Sequence, residues 1–281
     1  MKYTKVFTVF AMALAAYGTA AGQTLTGDQG ETVQARAVLT VSESKRLIAK
    51  AVAQMPVVKA ALEQGMVIIT KGTTNTYVAE EILDRKIEHG ALLSGRTYPI
   101  QGGERLEQVE PISDIVLING VPADNLSLAE AVEKINPGDV VIKGANLLDY
   151  ENKIAGVLIG SPNSGTTGTF MPSVVGRKAH LIIPVGLEKQ AAGNVVDIAG
   201  KLCEPMISLN NIPSMFLLTG HIVTEIEALD ILTDVSAFQA ASGGIGGAEG
   251  AVWIVFRGHR ENVEEALKLI ENIYGEPPFV E

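Results

Sequence analysis

The stretch that decides the fold is Met66-Val-Ile-Ile-Thr70, which continues into Lys71-Gly-Thr-Thr-Asn-Thr76 and then into helix-forming residues 77–83. An unbroken apolar run of this length is typical of a strand whose two faces are both buried in a parallel sheet. The turn after it offers a glycine, for close backbone approach, and several side-chain donors. The stretch therefore predicts a buried strand whose carboxyl end meets the start of a helix.

Short apolar runs followed by helical sequence recur towards the C-terminus. We predict further strands at residues 114–118, 139–143, 157–160 and 180–185, and helices at residues 127–135, 171–176 and 195–202. Strand and helix alternate in this order as they do in doubly wound sheets. The predicted fold of residues 42–210 is α/β: a Rossmann-like domain with a mostly parallel sheet and helices on both faces.

The secondary structure of two further segments is less clear from the sequence. Residues 42–64 predict two short helices, with Ser42 as a candidate N-cap of the first and Pro56 suited to open the second. Residues 90–108 contain several glycines and fit no regular pattern, so they are either a hairpin or a lid loop.

The pattern changes from residue 215 onward. It predicts strands at residues 216–218, 235–241 and 251–256 and helices at residues 224–232 and 261–273. This order is one strand short of a ferredoxin-like unit, and residues 277–280 are the candidate for the missing edge strand. We predict a ferredoxin-like α+β domain over residues 214–281. For its Ser242-Gly-Gly-Ile-Gly-Gly247 run, the absence of a following helix favours a hairpin turn, and a pore or ligand loop is the alternative.

The N-terminus has the order of a secretory signal. Lys2 and Lys5 precede an apolar run at residues 6–16, and small residues follow at 18–22. The run is too short to span a bilayer, and it leaves no polar face for an ordinary amphipathic helix. We predict a signal peptide at residues 1–22, a flexible leader at residues 23–41, and an exported protein without a stable membrane anchor.

Composition excludes several classes of partner. The 281 residues are 47% hydrophobic but only 5% aromatic, which favours an aliphatic core. A net charge of -10 without clustered Lys or Arg argues against nucleic acid. The single cysteine, Cys203, allows no disulfide within the chain, and the four histidines have no metal-binding spacing. We therefore expect neither a metal nor a cofactor.

Two glycine and hydroxyl loops are candidate ligand sites. Residues Gly72, Thr73, Thr74 and Asn75 lie where a helix begins after a buried strand, and backbone N–H groups there favour an anion. In the alternative, Thr74 or Asn75 merely caps the helix. The second loop, Ser161-Pro-Asn-Ser-Gly-Thr-Thr-Gly168, contributes the candidates Ser164, Gly165, Thr166 and Thr167. It has neither the P-loop order nor the full dinucleotide spacing, so ATP and NAD are not favoured.

Acids and amines between and after these loops are the candidates for chemistry. Residues 143–153 follow a predicted strand, and they include the candidate ligand-binding residues Lys143 and Asn146. Asp149, Lys153 and, after the next strand, Glu188 are the candidate catalytic residues, because carboxylates and amines can transfer protons. Glu188 and Lys189 belong to the same rim by topology, although either is equally suited to cap a helix.

Residues 70–78 and 141–189 resemble the superfamily of ribose-phosphate isomerases, glucosamine-phosphate deaminases and CoA transferases. Gly72, Thr73 and Thr74 match the phosphate turn of the isomerases, and Gly144-Ala-Asn146 resembles their Gly-Ala-Asp segment. The resemblance implies a sugar-phosphate site and a small ferredoxin-like lid. Asn146 stands where the isomerases have an acid, and an amide cannot replace a carboxylate in proton transfer. The chain is also similar to an uncharacterised prokaryotic family, which implies no function.

These features predict an exported protein that binds a small anionic molecule resembling a sugar phosphate or a carboxylate, with catalysis left open. An enzyme would need Asp149, Glu188 and either Lys143 or Lys153 to converge on the ligand. The alternative is an exported structural subunit that assembles into a homo-oligomer with an idle pocket. The C-terminal element order, which is similar to that of microcompartment shell domains, implies such assembly.

Overall fold

The computed structural model describes residues 31–98 and 109–279 of the chain. The predicted signal peptide, residues 23–30 of the predicted leader and residues 99–108 of the irregular segment lie outside the described residues. The described strands are β1 Thr32–Leu39, β2 Met66–Ile69, β3 Ile115–Ile118, β4 Val121–Pro122, β5 Val140–Ile142, β6 Leu147–Asp149, β7 Ile154–Ile159, β8 His180–Pro184, β9 Ser214–Leu218, β10 His221–Val223, β11 Ser236–Ser242 and β12 Val252–His259. The α-helices are α1 Val41–Gln54, α2 Pro56–Gln64, α3 Thr73–Leu83, α4 Leu128–Val132, α5 Gly165–Arg177, α6 Val195–Leu202, α7 Glu225–Thr233 and α8 Arg260–Glu271.

The central sheet has six strands in the order β10-β8-β5-β2-β3-β4. The first four run parallel, β3 pairs antiparallel with β2, and β4 pairs antiparallel with β3. The prediction of an α/β fold is confirmed, although the sheet is mixed. The apolar run at β3 was expected to join the parallel order. A buried run does not encode strand direction, and the long segment between α3 and β3 lets the chain return antiparallel.

The predicted strand at residues 157–160 belongs to a separate sheet. It is part of β7, which pairs antiparallel with β6 and β9 in the order β6-β7-β9. A turn of four residues joins β6 to β7 and places Lys153 at a φ of 54°. Such a short connection allows only antiparallel pairing. The loop at residues 161–168 therefore does not follow a strand of the central sheet.

A third sheet pairs the first described strand with the last one. Its order is β1-β12-β11, and β1 pairs with β12 from Thr32 to Leu39. The prediction of a flexible leader is wrong for these residues. Inward Val33, Ala35 and Ala37 alternate with the exposed Thr32, Gln34 and Arg36, which is the period of a half-buried strand. Residues 277–279, the described part of the predicted edge strand, form no strand, and β1 supplies the third strand instead.

Strands β9 and β10 pair with strands that precede the predicted boundary at residues 210–213. β9 pairs with β7, and β10 pairs with β8. The prediction had assigned every strand after residue 213 to a separate ferredoxin-like unit. Leu218, Ile222 and Val223 are buried in these pairings, so burial of apolar side chains favours the observed arrangement.

Helix α1 packs against both α3 and α7, and it also contacts β8 and β10 of the central sheet. It begins at Val41 after the N-cap Thr40, whose side chain and backbone both bond Glu43 in a capping box. The predicted N-cap, Ser42, is instead buried in the first turn, whereas Pro56 opens α2 as predicted. Within the described residues, no helix is both long enough and apolar enough to cross a membrane.

Candidate functional site

The carboxyl ends of the four parallel strands meet at one edge of the central sheet. The backbone ladder continues past the strands there: Thr70 donates to Ile142 at 3.0 Å, and Lys143 donates to Ile182 at 3.0 Å. The residues that follow β2, β5, β8 and β10 therefore lie side by side. The first part of α1 joins them, because the charges of Glu188 and Lys189 act on Lys45. We define the carboxyl-edge site as the following residues: Ser44, Lys45, Gly72, Thr73, Thr74, Asn75, Lys143, Gly144, Glu188, Lys189 and Glu225.

The turn after β2 leads into α3 through an N-cap without a side chain. Gly72 is the N-cap, and no side chain caps the helix. The alternative in which Thr74 or Asn75 caps the helix therefore does not hold. The first-turn N–H groups of α3 remain available to a bound anion, because a helix N-terminus carries partial positive charge.

Asn75 joins β2 to β5 beneath this turn. Its Nδ2 donates to the Thr70 carbonyl at 2.7 Å and to the Ile142 carbonyl at 3.2 Å. These bonds fix the amide orientation, since only nitrogen can donate to carbonyl oxygens. Asn75 is fully buried, and its Oδ1 has no hydrogen-bond partner in the described structure. A β-carbon at Gly144 would lie 3.7 Å from this oxygen, so the turn after β5 passes close to it.

Three lysines converge on the site without a counter-ion. Lys143 Nζ donates to the Gly144 carbonyl at 3.2 Å, and Lys189 Nζ donates to the Ala145 carbonyl at 2.8 Å. Lys45, only 8% exposed, has its Nζ 5.7 Å from the ring centroid of Phe279. In the described part of the chain, none of the three forms an ion pair. The protein has 32 acidic residues, so carboxylates that could have paired with these lysines are abundant in the chain.

Burial and mutual repulsion both disfavour the charged state of these lysines. Burial, and then the charge of Lys189, lower the pKa of Lys45 to about 8, against an opposing effect of Glu188. The same two causes lower the pKa of Lys143 to about 8, opposed by Asp114. Lys189 is thus the common neighbour of the other two amines. An anion bound among them would relieve the repulsion.

Two glutamates complete the site. Glu225, the first residue of α7, is fully buried, and its Oε2 accepts a hydrogen bond from the Leu187 backbone at 3.0 Å. Burial, and then the charge of Glu188, raise the pKa of Glu225 to about 7. Glu188 lies in a 3-10 turn, Leu187–Lys189, and folds back over Gly186, where a β-carbon would collide with its carboxylate. The site therefore holds a carboxyl group that is partly protonated near neutral pH.

Unpartnered buried polar atoms cluster at this edge. Five such side-chain atoms occur in the described residues, and four of them belong to the carboxyl-edge site: Ser44 Oγ, Asn75 Oδ1, Glu188 Oε2 and Glu225 Oε1. Ser44 approaches Glu225 closely enough to lower its pKa, but the two groups do not meet the geometry of a hydrogen bond. Such atoms are rare in native proteins, because each costs about 1–3 kcal/mol. Among the described residues, most of these atoms therefore belong to the carboxyl-edge site.

The other predicted catalytic residues make contacts of their own. Asp149 is buried and accepts from the side chain and backbone of Asn152, at 3.0 Å to the backbone, and these bonds lower its pKa. Lys153 bonds Glu227 Oε1 at 3.0 Å and lies 3.3 Å from the centroid of the Tyr150 ring. The structure thus brings Lys143 and Glu188 to one edge, whereas the contacts of Asp149 and Lys153 are with other residues.

The remaining predicted ligand residues also have local contacts. Asn146 is exposed, and its Oδ1 accepts from the Leu158 backbone at 3.0 Å, across the β6–β7 hairpin. Ser164, at a φ of 58°, is the N-cap of α5. The loop of Ser164, Gly165, Thr166 and Thr167 is held by backbone bonds from Ser164 to Ser161 and from Gly168 to Ser164. It follows β7 of the second sheet.

Two cavities lie away from the carboxyl edge. One, of about 360 Å³, includes Gly65 and Asp139 at the opposite edge, where Asp139 is already bonded by the Met66 and Asn136 backbones. The other, of about 460 Å³, is lined by the ion pairs of Arg46 and Glu80. Neither cavity is lined by a residue of the carboxyl-edge site. Within the described ranges, no group of three or more His, Cys, Asp or Glu is arranged to hold a metal.

Three residues of the site had no place in the sequence prediction. Ser44 precedes the buried Ile48 by one helical turn, so its polar group on an apolar face was a readable signal. Lys45 had no such signal. Glu225 follows a strand of only three residues and looked like an ordinary acid in the first turn of a helix.

Comparison with protein-family models, with curated proteins and with solved structures finds no match to the chain. The functional assignment therefore rests on the geometry of the carboxyl-edge site.

Proposed function

We propose that the protein binds a small anionic molecule, carrying carboxylate or phosphate oxygens, at the carboxyl-edge site. The observation that carries the proposal is the convergence of Lys45, Lys143 and Lys189, without ion pairs, beside the uncapped N-terminus of α3. Charged groups placed away from water are costly unless they are paired. A bound anion would supply the negative charge with which these lysines form no ion pair in the protein.

The roles of the residues follow from their positions. The first-turn N–H groups of α3 and the amine of Lys143 hold the anionic oxygens, with Lys189 as a second cation. Asn75 Oδ1 and the carboxyl groups of Glu188 and Glu225 accept from, or donate to, hydroxyl groups of the same ligand. A sugar phosphate and a hydroxy acid both fit this combination of groups.

We also propose that the chain is related to the superfamily of isomerases, deaminases and CoA transferases that its sequence resembles. The same proposal includes a Rossmann-like domain and a ferredoxin-like domain. Four parallel strands with a ligand turn after β2 support it, whereas the two antiparallel sheets are departures from a doubly wound domain. Export through the N-terminal signal is likewise proposed. It implies a ligand found outside the cytoplasm.

Thermal-shift titration of the mature protein, from about Gln23, tests the binding proposal. A ligand at about one hundred times its Kd stabilises the folded state by about 2.7 kcal/mol, which raises Tm by roughly 5 to 10 °C. We expect such a shift with a sugar phosphate or a small carboxylate. It should disappear in Lys143→Met and persist in Lys59→Met, which removes an exposed lysine of α2. Equal shifts in both variants would reject the site.

A second candidate function is self-assembly as a structural subunit. The observation that favours it is a run of exposed apolar side chains after α6, in which Met206 is 76%, Ile207 97% and Leu209 100% exposed. Apolar groups clustered in this way mark association surfaces. Light scattering of the mature protein tests it, because a monomer at high concentration would exclude assembly.

A further inference from the structure

We infer that Lys143 condenses with the carbonyl group of a 2-oxo acid, in which a ketone or aldehyde lies next to a carboxylate, and holds that ligand as an imine. The inference rests on the proposed anion site and adds a covalent step to it. It is carried by the amines of Lys143 and Lys189, which donate to the adjacent carbonyls of Gly144 and Ala145 in a turn that passes close to Asn75 of α3.

Lys143 is the lysine whose environment suits a nucleophile. It is half-buried at the end of β5, whereas Lys45 is only 8% exposed. Its Nζ donates one hydrogen bond, to the Gly144 carbonyl, and forms no ion pair within the described residues. A neutral amine held by a donated bond keeps its lone pair free. The rim of the site therefore presents a positioned amine.

The lowered pKa supports this geometry. Desolvation and a neighbouring ammonium are the two devices by which proteins activate lysine nucleophiles, and Lys143 has both. In the free protein, with its pKa at about 8, Lys143 carries roughly two hundred times more neutral amine at pH 7 than an ordinary lysine. A bound carboxylate raises this pKa, so the attack draws on the neutral amine that remains in equilibrium with the ammonium form.

The closeness of the Lys143 turn to the N-terminus of α3 indicates the class of ligand. Gly144, the neighbour of Lys143, passes within 3.7 Å of Asn75 Oδ1, measured from the β-carbon that Gly144 lacks. Asn75 lies in the first turn of α3, so the N-terminus of this helix lies beside Gly144, the residue that follows Lys143. A carboxylate bound at α3 then presents a directly attached carbonyl carbon to Lys143. The unpartnered Asn75 Oδ1 accepts a hydrogen bond from the resulting hydroxyl or iminium group.

The step is balanced without an oxidant or a reductant. The Lys143 nitrogen attacks the carbonyl carbon, the carbonyl oxygen takes a proton, and a carbinolamine forms. The nitrogen then gives up a proton to the hydroxyl, which leaves as water, so one C=N bond, in a protonated imine, replaces one C=O bond. Lys189, the ammonium whose charge acts on Lys143, donates the proton that the carbonyl oxygen takes, and solvent then reprotonates Lys189.

Reductive trapping with glyoxylate tests the inference. The mature protein is treated with glyoxylate and sodium cyanoborohydride at pH 7, and the carboxymethyl adducts are mapped by peptide mass spectrometry. We expect Lys143 to be labelled at least about tenfold faster than the exposed Lys59. Lys143→Arg keeps the charge and should abolish the fast adduct. Lys189→Gln should slow it, because loss of the neighbouring charge raises the pKa of Lys143.

Calorimetry with glycolate separates this inference from the proposed function, because glycolate keeps the carboxylate but has no carbonyl. If glycolate binds and Lys143 is labelled no faster than Lys59, the imine inference is overturned and the anion site stands. Preferential labelling of Lys45 or Lys189 would also overturn it. If glycolate fails to bind and labelling is uniform, both proposals are rejected.

Discussion

The carboxylate of Glu225 accepts a hydrogen bond from the backbone N–H of Leu187 at 3.0 Å, and this bond joins the start of α7 to the turn after β8. One carboxylate oxygen is thus bonded, whereas the other is buried without a partner. Glu225 is the most deeply buried acid of the site. Its protonation state consequently links the stability of the fold to the chemistry of the site.

The contribution of Glu225 to the unfolding free energy should fall as pH rises from about 4.5 to about 7, against the opposite contribution of His89 and His221, whose pKa values are lowered by burial. The pKa of Glu225 is raised from 4.5 to about 7 in the folded protein, so between these values the folded state binds more protons than the unfolded state. The contribution of this group is complete below pH 4.5 and is lost as pH passes 7, a change of about 3 kcal/mol. Urea unfolding at several pH values measures it.

Glu225→Gln should remove that slope and stabilise the protein at pH 8, because the amide still accepts from Leu187 and carries no charge. Glu265→Gln, an exposed acid of α8, is the matched control and should leave the slope unchanged. A slope that survives in Glu225→Gln would show that Glu225 ionises normally.

The buried ion pair of Arg46 and Glu80 should dominate the stability of the α1–α3 contact. The two side chains are 6% and 3% exposed and lie 2.6 Å apart, and Arg46 also pairs with Glu276. Arg46→Met leaves the buried Glu80 carboxylate with the 79% exposed Lys86 as its remaining lysine partner, at an expected loss of up to about 3–5 kcal/mol in unfolding free energy. Arg260→Met breaks an exposed pair with Glu31 and should have little effect. Equal losses in the two variants would contradict this account.

Gly186→Ala should displace the Glu188 side chain without unfolding the protein. The backbone of Gly186, at φ -75° and ψ 152°, is open to alanine, but the added β-carbon collides with the Glu188 carboxylate. Because the charge of Glu188 helps to raise the pKa of Glu225, moving it should lower that pKa towards its usual value. Carboxyl NMR titration of the variant measures the change. An unaltered pKa would mean that burial alone sets it.

Much of the central sheet was predictable from the sequence, because its strands are uninterrupted apolar runs. β2, β5 and β8 were found within a residue or two of their observed bounds, and α6 at its bounds. The direction of β3 was not predictable, since an apolar run looks alike in either orientation. The Asn119-Gly120 turn, with both φ values positive, did signal the β3–β4 hairpin and was overlooked.

The candidate site was only partly predictable, for a physical reason. Residues that follow strands were found, among them Lys143 and Glu188, because parallel strands bring their carboxyl ends together. Lys45 comes from a helix packed across the sheet, and only tertiary packing places it there. β10 was missed because three residues are too short for a pattern, and Glu225 was missed with it.

Anion binding should weaken above pH 8 and should take up protons near that pH. In the free protein the pKa values of Lys45 and Lys143 are lowered to about 8, and a bound anion raises them by supplying counter-charge. Binding therefore favours the protonated amines, whose population falls as pH rises through 8. Calorimetry in two buffers with different ionisation enthalpies measures the proton uptake. Affinity that is independent of pH between 7 and 10 would contradict the assignment.

The most direct test of the central claim is calorimetric titration of the mature protein with inorganic phosphate and with glycolate at pH 7. The account predicts that at least one of them binds at a single site, that Lys143→Met and Lys189→Met each weaken binding by about tenfold or more, and that Lys59→Met does not. The absence of binding by either anion, or equal affinity in all three variants, would contradict it.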